Sequence, residues 1–120
     1  MAEHINTGKK GEEIAVNYLI SIGYQVLETN WRFGHKEIDI IALHKKDVIF
    51  IEVKTRKSSY YEKPYESVGS QKQQFLIEAA EAYIEKNEFD VEIRFDIISI
   101  LLENKKTNIE HIENAFTPLF

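Results

Sequence analysis

Two apolar segments rich in Ile and Val lie at residues 37–43 and 48–54, separated only by the polar quartet 44–47. Short β-branched runs on either side of a polar turn are typical of two antiparallel strands joined as a hairpin. Because five of the seven positions in each segment are apolar, both strands are expected to be mostly buried. The sequence therefore predicts a hairpin of buried strands at 37–43 and 48–54.

Helical patterns lie on both sides of this hairpin. Apolar residues recur at helical spacing over residues 8–22, which predicts a first helix, and residues 24–27 are a short strand candidate before a polar connection at 30–34. A second helix is predicted over 70–87 and a strand over 91–102, whereas the segment from residue 103 fits either a last strand or an ordered tail. The order α-β-β-β-α-β predicts an α/β fold with a single mixed sheet.

Length and composition set further limits. A chain of 120 residues without repeats or a linker is expected to form one domain over 1–120. The absence of cysteine excludes disulfides, thiolate zinc sites and cysteine nucleophiles. The first ten residues lack the apolar stretch of a secretory signal, and the longest apolar runs are far shorter than a membrane span. A cytoplasmic protein with no membrane partner is therefore expected.

The net charge of −5 argues against a nucleic-acid partner, because nucleic-acid-binding domains usually carry basic patches. The charge is unevenly distributed, however: residues 73–120 carry most of the negative charge, and residues 1–72 are close to balance. An acidic C-terminal third can face away from a polyanion while the rest of the surface contacts it. The overall charge therefore leaves a nucleic-acid partner open.

Charged residues interrupt both predicted strands. Glu37 and Asp39 share one face of the first strand, and Glu52 and Lys54 share one face of the second, because strand side chains alternate. Pairing of the hairpin would make the acidic faces neighbours, so that three carboxylates converge with one ammonium. Mg²⁺ would offset the cost of burying crowded carboxylates and leave positions for phosphate oxygens. The same residues also fit a solvated face, with Glu37 paired to Lys36 or Lys54.

Weaker candidates surround this group. His35 lies in an H-x-E-x-D run and is a candidate imidazole ligand, whereas the other histidines are expected to be solvated. The polar segment 57–69 is longer than a simple turn, and loops of that length are often functional. Residues 58–61 beside Arg56 and Lys57 fit phosphate contact and base stacking, and they fit an ordinary loop equally well.

Asp39 and the triplet Glu52-Val53-Lys54, separated by 12 residues, resemble the PD-(D/E)xK nuclease signature. A longer ordered set is similar to the YraN-like family of small bacterial proteins, which is related to archaeal Holliday-junction resolvases. That set comprises Gly11-Glu12, Gly23-Tyr24, Asn30, Arg32, Glu37-Ile38-Asp39, Phe50 to Lys54 with Arg56, Lys72 and Arg94-Phe95-Asp96. One departure is Lys36, which stands where the family commonly has Gly. The resemblance implies a restriction-endonuclease-like fold.

The resemblance also implies an activity, namely metal-dependent endonuclease cleavage of phosphodiester bonds, with branched DNA among the substrates. It places Mg²⁺ or Mn²⁺ at Asp39 and Glu52, assisted by the Val53 carbonyl, and makes Lys54 the catalytic lysine that orients the attacking water. Glu12 matches an additional acidic residue near the metal. Its charge is equally explained as a favourable one in the first turn of a helix.

Other charged residues near this site are candidates for contact with the substrate. Arg56, Lys57 and Lys72 are expected to contact phosphates, and Glu37 is expected to support the metal ligands or to pair with a lysine. The expected partner is nucleic acid, DNA rather than RNA, and a homodimer is a further expectation because related resolvases act as dimers. Two alternatives remain open at this point: a nucleic-acid-binding module that keeps the fold without cleaving, and an interaction protein that self-associates through its sheet edge.

Overall fold

The computed structural model describes residues 2–57, 69–87 and 90–116, with side chains from residue 8 onward. Its elements are α1 (Ala2–Ser21), β1 (Gln25–Phe33), β2 (Lys36–His44), β3 (Asp47–Arg56), α2 (Ser70–Asn87), β4 (Glu92–Glu103) and β5 (Lys106–Ile112). The order α-β-β-β-α-β-β contains the predicted core, and the prediction of an α/β fold with one mixed sheet is confirmed. Residues 58–61, considered above for phosphate contact, lie outside the described residues.

The strands form one five-stranded sheet in the order β1-β2-β3-β4-β5. The first three strands are an antiparallel meander, β4 runs parallel to β3, and β5 returns antiparallel to β4. The predicted hairpin is present, with β2 and β3 paired from His44–Asp47 to Ile40–Ile51. Its turn is tighter than the predicted quartet, and Lys45 in that turn adopts a left-handed backbone at φ 57°.

Side chains of the central strands alternate between two cores. On the side covered by α2, the buried residues are Ile38, Ile41, Val48, Phe50, Phe95 and Ile97, with Leu76, Ile77, Ala79, Ala80 and Tyr83 of the helix. On the side covered by α1, they are Ile40, Ala42, Ile49, Ile51, Ile98 and Ile100, with Ala15, Leu19 and Tyr24. Burial on both faces explains why β2 and β3 each contain a continuous apolar run, at 40–43 and 48–51.

The main differences from the predicted elements lie at the ends of the chain and at the sheet edges. Helix α1 begins at Ala2 rather than near residue 8, and β1 continues to Phe33 through the expected polar connection. Strand β1 is an edge strand with several exposed positions, so polar residues are compatible with it. The segment after residue 103 forms β5, the other edge. Neither helix of the described chain combines the length and apolar character that a membrane crossing requires.

Candidate functional site

The candidate site lies where β2 and β3 separate. Their backbone pairing ends at Ile40 and Ile51, so the next residues, Asp39 and Glu52, flank an opening between the strands. Asp39 reaches across this opening, because its Oδ2 accepts a hydrogen bond from the backbone N–H of Val53 at 2.8 Å. The carboxylate thus takes the place of the strand carbonyl that regular pairing would have supplied.

An irregularity in β1 accompanies the separation. Thr29 pairs with Ile40 and Trp31 pairs with Ile38, but Asn30, opposite Asp39, has a left-handed backbone at φ 51°. Asn is one of the few residues that adopt this conformation at low cost. The sheet is therefore distorted on both sides of Asp39, which leaves its side chain free of the regular alternation and directed into the opening.

Glu52 is the most buried acidic group of the site. Its side chain is 7% exposed, with Lys54 Nζ 3.7 Å from Oε1 and Lys72 Nζ 3.4 Å from Oε2. Within the described part of the chain, Oε2 is buried and has no hydrogen-bond partner, because the lysine is close enough for an ion pair and not aligned for a hydrogen bond. A buried carboxylate oxygen left in this state destabilises the fold unless a further cationic group contacts it.

The charges around Asp39 change its proton affinity. Burial and the neighbouring Glu52 carboxylate raise the pKa of Asp39 from 3.8 to about 7. The Val53 hydrogen bond opposes this rise, the Glu12 charge adds to it, and Lys72 lowers the pKa slightly. The site therefore has more negative charge than its two lysines neutralise, so that Asp39 is only partly ionised near pH 7.

Glu12 comes to the site because α1 lies unusually close to β3. A Cβ atom at Gly11 would be only 1.8 Å from Thr55 Oγ1, so glycine is required for this contact. Asn30 Nδ2 donates to Glu12 Oε1 at 2.9 Å, with Oε2 at 3.4 Å, and this holds the carboxylate on the side of the opening. Because α1 begins at Ala2, the explanation of Glu12 as a first-turn charge is wrong.

The remaining predicted residues are distributed as follows. Glu37 pairs with Arg32, with Oε1 and Nη1 3.3 Å apart, rather than with Lys36 or Lys54. The further carboxylate whose charge acts on Asp39 is Glu12. Arg56 follows Lys54 on the same face of β3, and its Nη2 atom is buried with no hydrogen-bond partner in the described residues. Lys57 is exposed just after the end of β3.

A second polar cluster, centred on Asp96, was not predicted. The buried Asp96 carboxylate accepts hydrogen bonds from Arg94 Nε at 2.9 Å and Nη2 at 2.8 Å. It also accepts one from the backbone N–H of Asn114 at 2.9 Å and lies 2.7 Å from His111 Nε2. His111, expected to be solvated, is only 8% exposed. An Asp and an Arg two residues apart in an apolar strand were the available signal, since such residues share a face.

The bonding within this cluster stabilises the fold. Burial alone raises the pKa of Asp96, but the bonds from His111, Arg94 and the Asn114 amide outweigh it, so the pKa lies below 3.8. Asp96, His111 and Glu113 lie close enough for a metal site, yet the Arg94 guanidinium already contacts both acidic groups. The cluster therefore fastens β5 and the following chain to β4 rather than offering open ligand positions.

Together, the fold and the site define a class: small α/β proteins with one mixed sheet, in which carboxylates and lysines gather where the first two central strands separate. The chain belongs to the Uncharacterised protein family UPF0102, whose family model matches residues 11–100. The matched range includes Glu12, Asp39, Glu52, Lys54 and Lys72. The predicted YraN-like relationship is thereby confirmed at the level of this family.

Relatives match over nearly the full chain. A UPF0102 protein of Flavobacterium psychrophilum is 47% identical over 116 residues, covering 97% of this chain and 98% of the relative. The UPF0102 proteins of Phocaeicola vulgatus and Bacteroides thetaiotaomicron are 45% and 43% identical over 118 residues, each covering 98% of both chains. The similarity therefore extends over both helices and the whole sheet.

Proposed function

We propose that this protein is a metal-dependent phosphodiesterase that acts on nucleic acid, with a PD-(D/E)xK arrangement at Asp39, Glu52 and Lys54. The observation that carries the proposal is the buried Glu52 Oε2 atom, which has no hydrogen-bond partner among the described residues and lies beside a second carboxylate of raised pKa. Two crowded carboxylates at the end of a strand pair are costly without a cation. A divalent cation offsets that cost.

The donor set fits a hard cation. Asp39 and Glu52 offer carboxylate oxygens, and Glu12 offers another from α1. The N–H and C=O of one strand residue point toward the same neighbouring strand, so the Val53 carbonyl faces the opening into which its N–H donates. Oxygen ligands of this kind suit Mg²⁺ and Mn²⁺.

The cation would supply Lewis acidity to a phosphodiester and to a nearby water. The chain's own residues do the positioning. Lys54 lies 3.7 Å from Glu52 Oε1 with its side chain 31% exposed, so its ammonium is placed to orient an attacking water at the rim of the site. Lys72 would contact the phosphate, and a phosphate oxygen would supply the acceptor that the buried Arg56 Nη2 atom lacks among the described residues.

The test is cleavage of labelled single-stranded, duplex and four-way-branched DNA, and of RNA, in EDTA, Mg²⁺ or Mn²⁺. We expect products only with a cation, and a loss of at least about 100-fold in rate for Asp39→Asn and for Lys54→Met. Glu37→Gln is the matched control, because it removes an exposed carboxylate from the same strand. Cleavage by Asp39→Asn at the wild-type rate would contradict the proposal.

A second candidate function is nucleic-acid binding without cleavage. It is favoured by the two lysines that already flank Glu52, since they neutralise part of the charge without a metal. In that case binding weakens steeply with salt, the metal has little effect on affinity, and no product forms. The homodimer stays a prediction, and sedimentation at several concentrations with and without DNA tests it.

A further inference from the structure

Three half-buried aromatic side chains lie on the α2 side of the sheet. Trp31 and Phe33 are neighbours on one face of β1, with nearly parallel rings at an interplanar angle of 14° and centroids 6.2 Å apart. Phe75 of α2 continues the series, with its centroid 6.0 Å from that of Phe33. All three pack against the edge of the core and keep part of their surface exposed. We call these three residues the aromatic strip.

Two lysines lie beside the aromatic strip, and one of them also reaches the candidate site. Lys36 Nζ lies 5.5 Å from the Phe75 centroid, and Lys72 Nζ lies 5.9 Å from it. Lys72 is also 3.4 Å from Glu52 Oε2, so one side chain touches both the strip and the buried carboxylate. A ring that only shields a core needs apolar neighbours, whereas the half-buried ring of Phe75 has two ammonium groups beside it.

Aromatic rings with cations close by are what an unpaired nucleic-acid strand requires from a protein surface. Each base offers a face for stacking on a ring, and each phosphate is neutralised by a nearby lysine. In a duplex the bases already stack on one another, so their faces are not available to protein rings. The charge and the rings together therefore favour an unpaired nucleic-acid strand over a duplex.

We propose that the aromatic strip is a stacking platform for unpaired nucleobases, so that the substrate class is single-stranded or locally unpaired nucleic acid. The backbone of the bound strand passes Lys36 and Lys72 and reaches Glu52. The inference rests on the proposed function for the chemistry at Glu52, but the stacking itself requires neither metal nor cleavage. It therefore has a test of its own.

Trp31 provides the signal, because it is the only tryptophan in the chain. Oligothymidylate and oligouridylate of about 12 nucleotides are titrated separately into the protein in EDTA, where we expect no cleavage. We expect saturable quenching of Trp31 fluorescence by at least one of the two, and weaker binding of a duplex of equal length. Equal affinity for duplex and single strand, or no quenching by either single strand, overturns the proposal.

Leucine variants separate stacking from packing. Phe33→Leu and Phe75→Leu keep apolar bulk and remove the ring, so we expect each to raise the Kd for single strands about tenfold while circular dichroism stays unchanged. Phe116→Leu is the control, because Phe116 stacks on Phe95 in the same core and does not belong to the strip. Wild-type Kd values for both strip variants would show that the rings only pack.

Asp39→Asn distinguishes a failure of this inference from a failure of the proposed function. If the variant keeps the Trp31 quenching and loses cleavage, both stand. If it quenches and also cleaves normally, the proposed function fails and the stacking platform remains. If wild-type protein shows no quenching but its cleavage depends on Asp39, the platform fails and the proposed function remains.

Discussion

Replacing Asp39 by Asn should stabilise the metal-free protein at alkaline pH. Burial and Glu52 raise the pKa of Asp39 from 3.8 to about 7, so the folded state binds this proton more tightly than the unfolded state. The free energy of unfolding of the wild type therefore falls as pH rises from about 4 to about 7. A shift of about 3 pH units corresponds to about 4 kcal/mol at pH 8.

The Asn variant removes the charge and keeps an oxygen that can accept the Val53 N–H. We expect it to be about 2–4 kcal/mol more stable than the wild type at pH 8, and nearly equal to it at pH 4. With a typical urea dependence, this corresponds to a rise of about 1–2 M in the urea midpoint at pH 8. The measurement is urea denaturation in EDTA, followed by circular dichroism, from pH 4 to pH 8.5.

Glu37→Gln is the control for this experiment, since it removes a carboxylate two residues earlier in β2. Its ion pair with Arg32 is exposed, so we expect a change within about 0.5 kcal/mol at every pH. The reasoning is refuted if Asp39→Asn is no more stable than the wild type at pH 8. It is also refuted if a stabilisation of the same size is present at pH 4.

Divalent cations should reverse the order of stability: we expect Mg²⁺ or Mn²⁺ to raise the Tm of the wild type at pH 8 and to leave that of Asp39→Asn unchanged, as scanning calorimetry would show. Gly11→Ala should destabilise the fold by about 1–3 kcal/mol in urea titrations, because its methyl group meets Thr55, whereas Gly8→Ala has open space around it and should be neutral or slightly stabilising. Asp96→Asn should cost about 3 kcal/mol at pH 7, since it removes the buried anion that Arg94 and His111 share and leaves Arg94 with the exposed carboxylate of Glu113. The pKa of Asp96 is lowered, so its stabilisation is present above pH 4 and is lost as pH falls below that value; acid titrations of the variant should lack this loss.

The spacing of apolar residues was sufficient to predict the bounds of the elements that pack against a core. Helix α2 and strands β2, β3 and β4 lie within a residue or two of their predicted bounds, because burial requires a strict apolar pattern. Strand β1 was predicted too short, since an edge strand accepts polar residues such as Glu28 and Asn30 that read as a connection. Apolar periodicity therefore does not delimit an edge strand, because such a strand tolerates polar residues.

The geometry of the site was only partly accessible from sequence. Strand alternation places Glu52 and Lys54 together, and the hairpin brings Asp39 near them. The approach of Glu12 depends on how closely α1 packs on Thr55, and the Lys72–Glu52 ion pair depends on where α2 starts across the sheet. Both are long-range contacts between elements, and no local pattern encodes them.

The sheet topology also has a consequence for the order of folding. Strands β1, β2 and β3 are joined by two short turns, whereas β4 can pair with β3 only after a crossover that includes α2. Local pairings close quickly and distant ones slowly, so the meander forms first. Asp39 and Glu52 belong to the meander, but Lys72 arrives with the helix. The repulsion between the Asp39 and Glu52 carboxylates therefore arises early in folding, before Lys72 can reduce it. Protonation of Asp39 should consequently accelerate refolding more than it slows unfolding.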